Sequence, residues 1–414
     1  MKKLLSLFLM CVIMFSFSAC GGRQAVNKEN DNKNPTQNEN VTQTPDSKTP
    51  NTESPDTSLP DEQSKPEVQV PDTLRHVTQI KDVNDLFDFA KSVNNGDTYA
   101  GETVYLKADI DLSGKEWIPI GKSRGTSFQG NFNGGNHTVK NMTIKTFNGN
   151  NANIGFFGYI VDGTVSTLKL EDINIDLSYT TSPGFVQIGG IAGYMQSQSI
   201  GVGISKCKVS GEISVSDTKN NALFIGGMVG GLDTNQPNTT YKMSLLESTV
   251  TFYIEGGMSY SGGIVGIVTT GDYNDENCTI SDIIYNGTIN DGATPDSRVG
   301  GFSGMFNCAR NIDIKNCLIL LKLNKTINYG EISNLTGLLV GDQVVGCQVM
   351  SLHHVYGNVT NRGSIISIPY VARNQNQIKY NSCNGNLNPS APLNLPFDSK
   401  NWDLTNPDLP GFKF

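Results

Sequence analysis

The sequence predicts an all-β fold, a right-handed parallel β-helix, and three observations predict it. A five-residue phrase of two small residues, two apolar residues and a glycine returns six times. A second phrase of strand-like alternation follows it in each repeat. One amphipathic helix precedes the repeats, which suits an open stack with two ends. The phrase is clearest at Gly189, Gly190, Ile191, Ala192, Gly193 and at Gly226, Gly227, Met228, Val229, Gly230, with copies at 262–266 and 300–304 and degenerate ones ending at Gly158 and Gly341. The closing glycines lie 35, 37, 36, 38 and 37 residues apart. A fixed period in this range marks units that cannot bury their own apolar face and must stack on neighbours.

Residues 1–19 have the form of an export signal: Lys2 and Lys3, an apolar run over 4–17, then Ser18 and Ala19. The run is shorter than the roughly 18 residues of a membrane-spanning helix, so cleavage is expected. Phe17, Ser18, Ala19, Cys20 resembles the bacterial lipobox, which implies that the Cys20 thiol receives a diacylglycerol and becomes the mature N-terminus. Residues 20–74 then form an Asn/Thr/Pro-rich linker. From 23 to 74 there is no aromatic residue, and proline stands at 35, 45, 50, 55, 60, 66 and 71. Such a segment cannot bury enough apolar surface to offset its chain entropy and is read as a disordered tether, spanning roughly 40 Å as a coil.

The β-helix is expected over 75–414. Its capping helix runs over 82–93, with Asp82 as N-cap, apolar residues at 83, 86, 87, 90 and 93, and Gly96 ending it. A strand follows in which Val104, Leu106, Ile110 and Leu112 face one way and Lys107, Asp109 and Asp111 the other. In the repeats the second phrase is clearest at 205–213, with counterparts at 247–254, 282–289, 316–323 and 346–350, each repeat supplying two or three very short strands. A kelch-type propeller also uses paired glycines, but its blades need about 40–50 residues and an aromatic pattern that is absent here. Right-handed crossovers between parallel strands give the predicted hand.

Asp109, Ile110, Asp111, Leu112, then Trp117, Ile118, Pro119, Ile120, Gly121, then 128–134 resembles the opening segment of bacterial surface proteins with GLUG repeats. The glycine phrase is similar to the GLUG motif, and 397–409 with Trp402 resembles the closing segment of such proteins. The resemblance covers about 77–410 and implies an exported, cell-associated protein of adhesin type. Similar repeats also stand beside a zinc peptidase in some immunoglobulin A proteases; that extra domain is not expected here. The functional expectation is a lipoprotein on the cell surface, anchored to the membrane through Cys20, that acts as a non-catalytic adhesion or ligand-binding module. Its partners would be an extracellular glycan or a protein of a host or neighbouring cell. The alternative is a polysaccharide lyase or glycoside hydrolase acting on an extracellular glycan.

The net charge of -8 and the lack of a Lys/Arg cluster beyond the signal argue against nucleic acid. The four histidines are His76, His137, His353 and His354, with no H-E-x-x-H, and the adjacent pair would point to opposite faces of a strand. No nucleophile elbow, P-loop or dinucleotide fingerprint is present, so no cofactor or metal is expected. Glu171, Asp172 and Asp176 beside Lys169 are the residues a glycan-cleaving site would use, although hydrated surface groups are the favoured reading of them. Asp109 and Asp111 share a face, but calcium needs more oxygen ligands than this segment offers.

Outside the signal and Cys20, the cysteines are Cys207, Cys278, Cys308, Cys317, Cys347 and Cys383. Cys207, Cys317 and Cys347 are placed at one inward repeat position, where Ser248 and Ile283 stand in other copies, and behave there as small core residues. Cys317 and Cys347 would then occupy neighbouring coils, within reach of a bridge, though free thiols are the expectation. The next residue of each repeat points outward, giving the column Lys208, Thr249, Ile284, Leu318, Gln348; two residues on comes Ser210, Thr251, Asn286, Leu320, Met350. Ile284, Leu318, Leu320 and Met350 form an apolar patch, either a partner surface or a surface covered by the chain itself, with residues 364–371 as the candidate cover.

Overall fold

A computed structural model describes residues 75–145, 152–181, 183–234, 240–270, 278–292, 297–308 and 312–325, with shorter stretches at 336–337, 340–343, 351–361, 364–365, 399–403, 405 and 411–413. Residues 1–74, including the signal, Cys20 and the linker, lie outside the described residues, as do Cys347, Met350, Cys383 and most of the closing segment. The fold is an all-β, right-handed parallel solenoid with one N-terminal helix.

Helix α1 (Val83–Asn94) begins where the sequence places it: the Asp82 carboxylate accepts from the N–H groups of Asn84 and Asp85 at 2.8 and 3.0 Å, and Gly96, at φ 105°, lies just beyond its end. Its apolar face buries Leu86, Phe89 and Val93 against Tyr99, Phe128 and Phe132, closing the end of the core with aromatic rings. The strand expected over 104–112 is two strands, Thr103–Leu106 and Ile110–Asp111, which pair with different partners. The alternation survives the break, since Val104, Leu106, Ile110 and Leu112 are all buried.

Each glycine phrase leads into one strand of a six-stranded parallel sheet: Phe157–Val161, Ala192–Gln196, Val229–Thr234, Val265–Thr270, Ser303–Cys308 and Val340–Gln343. Among the described residues, eighteen further strands form the large sheet on the other walls, and Trp402–Asp403 pairs antiparallel with Gly411–Phe412 in a separate two-stranded sheet. Here the expectation of very short strands is corrected. Extended structure continues around the corners, with a shift of register between Asp217 and Ala222, so that Gly201–Gly226 and Thr240–Gly262 are single strands of 26 and 23 residues. One corner is a left-handed residue in five successive coils, Thr167, Lys206, Leu245, Asp282 and Asn316, with φ between 52° and 59°. The bend redirects the chain without breaking the ladder on either side of it.

Inward positions stack in register. Ile175, Ile213, Phe252, Ile289 and Leu323 form one fully buried column, and burying each such side chain contributes about 1.5–3 kcal/mol. The closing glycines exist because strands of the two sheets touch. A Cβ on Gly193, Gly230, Gly266 or Gly304 would stand closer than 3 Å to backbone atoms around Ile154, Ile188, Ile225 or Ser261 of the coil before. At the N-terminal end of this sheet, Asp162 ties one coil to the next. Its carboxylate accepts from the N–H groups of Gln198, Ser199, Ile200 and Gly201 and from the Ser199 hydroxyl. Burial raises the Asp162 pKa, and these donors more than offset it, leaving the group below the usual carboxylate range.

The pairing register also corrects the repeat columns. Cys207 stacks on Leu246, then Ile283, Cys317 and Val355, so Ser248 and Cys347 do not belong to this column. The fifth counterpart of the second phrase is Ser351–Asn361, not 346–350. Ser248 is displaced by two residues, and an even displacement leaves a side chain on the same face; it is indeed buried.

Candidate binding face

The outer face of the long strands is built by the same ladder that builds the core. Between the buried columns, the outward residues Asp176, Ser214, Tyr253, Asn290 and Asn324 stand in register across five coils. Beside them run Asn174, Glu212 and Thr251, then Ser178, Ser216, Glu255 and Gly292. Neighbouring coils are about 4.8 Å apart, so these columns present side chains at that interval.

The face is hollowed where Tyr253 and Glu255 of one coil meet Asn290 and Gly292 of the next and Asn324 of the third. They line a hollow of about 270 Å³ together with Ile254 and Asp291. Gly292 lies close to the coil before it, since a Cβ there would stand 3.2 Å from the Ile254 carbonyl. The two amides are oriented by the ladder, since Asn290 Nδ2 donates to the Phe252 carbonyl at 2.9 Å and Asn324 Nδ2 donates to Asn290 Oδ1 at 2.7 Å. Tyr253 is 43% exposed. Asp291 is buried and accepts from the Ser297 hydroxyl at 2.6 Å. The sequence signal for this site is the +39 and +37 spacing from Ser214 through Tyr253 to Asn290, hidden because the sequence-based columns run two residues out of register in the middle coil.

The residues expected to serve a glycan-cleaving site all lie on the strand Lys169–Tyr179. Glu171 pairs in register with Lys140, and Asp172, at φ 54°, sits where the ladder to the next coil shifts between Leu170 and Ile173. Asp176 belongs to the outward column of Tyr253. Asp109 accepts from the Thr138 N–H at 2.9 Å and pairs with His137 Nδ1 at 3.2 Å. Asp111 accepts from Ser113 and Asn141. Its hydrogen bonds with the Ser113 hydroxyl and Asn141 amide hold it well below the usual carboxylate range. Each aspartate thus has its own partners. Among the described residues no group of three or more His, Cys, Asp or Glu is placed to hold a metal ion.

The apolar patch stands differently from an open surface. Ile284 and Leu318 stack in register and are both buried, while Leu320 is half-buried. The same outward column begins with Lys208 and Glu247, not Thr249, and these two form an ion pair at 3.0 Å. Residues 366–370, most of the segment expected to cover the patch, lie outside the described residues.

A second polar group, not anticipated from the sequence, crosses three coils of the smaller sheet. Tyr159 donates to Gln196 Oε1 at 3.0 Å, and Tyr194 Oη and Gln196 Nε2 both donate to Asp233 Oδ2, at 2.7 and 3.2 Å. Burial first, then the Asp233 charge, pushes both tyrosine hydroxyls up in pKa. These residues hold fixed offsets from their closing glycines, one for the tyrosines and three for Gln196 and Asp233.

No protein-family model matches the chain, and the comparison with curated proteins found no match. Among solved structures the chain is similar to a Bacteroides ovatus protein described as a candidate immunoglobulin A1 protease, with 19% identity and a TM-score of 0.46, over 72% of this chain and 80% of that one. A likeness of this size carries no argument about activity; the solenoid rests on its own strand pairing.

Proposed function

We propose that this chain is an exported, lipid-anchored binding module of the bacterial cell surface whose solenoid presents a ligand face, without catalysis. The observation that carries the reading is the outward column from Asp176 to Asn324, a polar strip running in register along the stack. A strip of this kind suits an extended ligand laid across several coils. The anchoring part rests on Phe17, Ser18, Ala19, Cys20 and on the tether composition of 20–74. Among the described residues no helix is long and apolar enough to cross a membrane.

The test has two arms. Metabolic lipid labelling of cells making the full chain should mark the wild type and leave Cys20→Ala unmarked; labelling of that variant overturns the anchor. Cells displaying the full chain should adhere to immobilised polysaccharides or surface proteins more than cells lacking it. Release of unsaturated or reducing ends from those polysaccharides, abolished by Asp176→Asn or Glu171→Gln, would replace the binding module by an enzyme.

A further inference from the structure

We propose that the hollow between Tyr253 and Asn324 is a carbohydrate subsite that takes one ring of a neutral glycan. The proposal rests on the binding-module reading and narrows it to one ligand class and one place. A pyranose offers an apolar C–H face and a rim of hydroxyls, each both donor and acceptor. The hollow supplies both counterparts. Tyr253 gives an accessible aromatic ring, and Asn290 and Asn324 give amides that both donate and accept.

The amides are pre-oriented, which lowers the ordering cost of binding. One N–H of each is held by the ladder bonds to Phe252 and Asn290, so among the described residues the second N–H of each and the Asn324 carbonyl remain for a ligand. Glu255 adds an exposed acceptor at the rim. The volume, about 270 Å³, lies just under the usual range of about 300–1,000 Å³ for small-molecule pockets and fits a single ring better than a larger ligand. Charge selects within the class. Two carboxylates, Glu255 and Asp291, line the hollow and, among the described residues, no Lys or Arg does, which disfavours uronic acids and sulfated sugars. Among the described residues the other exposed tyrosine, Tyr105, stands in a different setting, with Lys107 Nζ 4.6 Å from its ring centroid.

Calorimetric titration of the detergent-solubilised full chain tests this, using tetramers of glucose, mannose, xylose and N-acetylglucosamine, with trigalacturonate as the acidic probe. At least one neutral tetramer should bind, Tyr253→Ala should weaken it tenfold or more, Asn324→Ala should weaken it at least several-fold, and Tyr105→Ala should leave it unchanged. Both affected side chains reach the surface, so unchanged melting temperatures are expected and serve as the folding control. Neutral binding that survives both Tyr253→Ala and Asn324→Ala overturns the subsite while leaving the binding module in place. Equal or tighter binding of trigalacturonate overturns the ligand class. No binding of any neutral tetramer overturns the proposal alone if the displayed chain still adheres to another surface, and takes the binding-module reading with it if adhesion is also lost.

Discussion

Gly230 lies directly against the backbone of Ile188 in the preceding coil, so close that a Cβ would stand less than 3 Å from the Ile188 nitrogen and the Gln187 carbonyl carbon. Backbone on both sides means that no side chain can swing away to make room. The repeat phrase closes on glycine because two sheets meet there at main-chain contact.

Gly230→Ala is therefore expected to destabilise the solenoid by about 1–3 kcal/mol or more, the cost of overpacking a close-packed site. Gly125→Ala is the matched control, since the nearest atom to its Cβ is the Ser123 hydroxyl at 4.0 Å. Urea denaturation of the two variants should show a clear loss for the first and little change for the second. Equal midpoints would mean that the close approach is not what the glycine is for.

Much of this was legible before the structure. The period of the closing glycines predicted stacked coils, and Asp82 with Gly96 bracketed helix α1 nearly to the residue. The inward assignments of Cys207, Ser248, Ile283 and Cys317 also hold. Register was the weak point. Leu245 lies 39 residues after Lys206 but Asp282 only 37 after Leu245, because the loops between coils differ in length. Periodicity of two reports the face of a residue and is silent about which residue it stacks on. The Tyr253 column was missed for that reason, as was the buried state of Ile284 and Leu318, which depends on neighbours the alternation does not encode.

Ser261 stands in a column with Ile154, Ile188, Ile225 and Val299, all fully buried. Its hydroxyl has no hydrogen-bond partner among the described residues. A buried unsatisfied hydroxyl costs about 1–3 kcal/mol. Ser261→Ala is expected to raise the melting temperature, while Ser303→Ala, which removes a 3.0 Å bond to the Met305 carbonyl, is expected to lower it. Scanning calorimetry of the pair gives opposite signs if hydrogen bonding decides, and the same sign if only volume matters.

Cys207 and Cys317 are buried free thiols three ladder steps apart, a separation of roughly 14 Å that excludes a bridge between them. Burial pushes the Cys207 thiol up to about 12 and raises Cys317 as well, so little thiolate exists near neutrality. Mass spectrometry after brief iodoacetamide treatment should find both unmodified in the folded chain and both alkylated in guanidinium. Rapid labelling of either in the native state would show that the coils open there.

His76 is held between two carboxylates, with Nδ1 2.6 Å from Asp97 and Nε2 3.0 Å from Glu102, and its ring stacks on Tyr99 at 4.4 Å. Hydrogen bonding to Asp97 first, then to Glu102, raises its pKa above the unfolded value near 6.5, and Asp97 is correspondingly lowered. A raised histidine contributes stability that is complete below the unfolded pKa and is lost as pH rises through the folded one. The lowered Asp97 contributes above its own unfolded pKa and loses that contribution as pH falls through the folded value. The cap is thus most stable between about pH 4 and 6.5. The side chains are nearly half exposed, so the effect should stay under about 1 kcal/mol. Urea midpoints measured from pH 5.5 to 8.5 should fall faster with pH for the wild type than for His76→Gln, with the two curves converging at the alkaline end. Parallel curves would show that the imidazolium contributes nothing to closing this end of the solenoid.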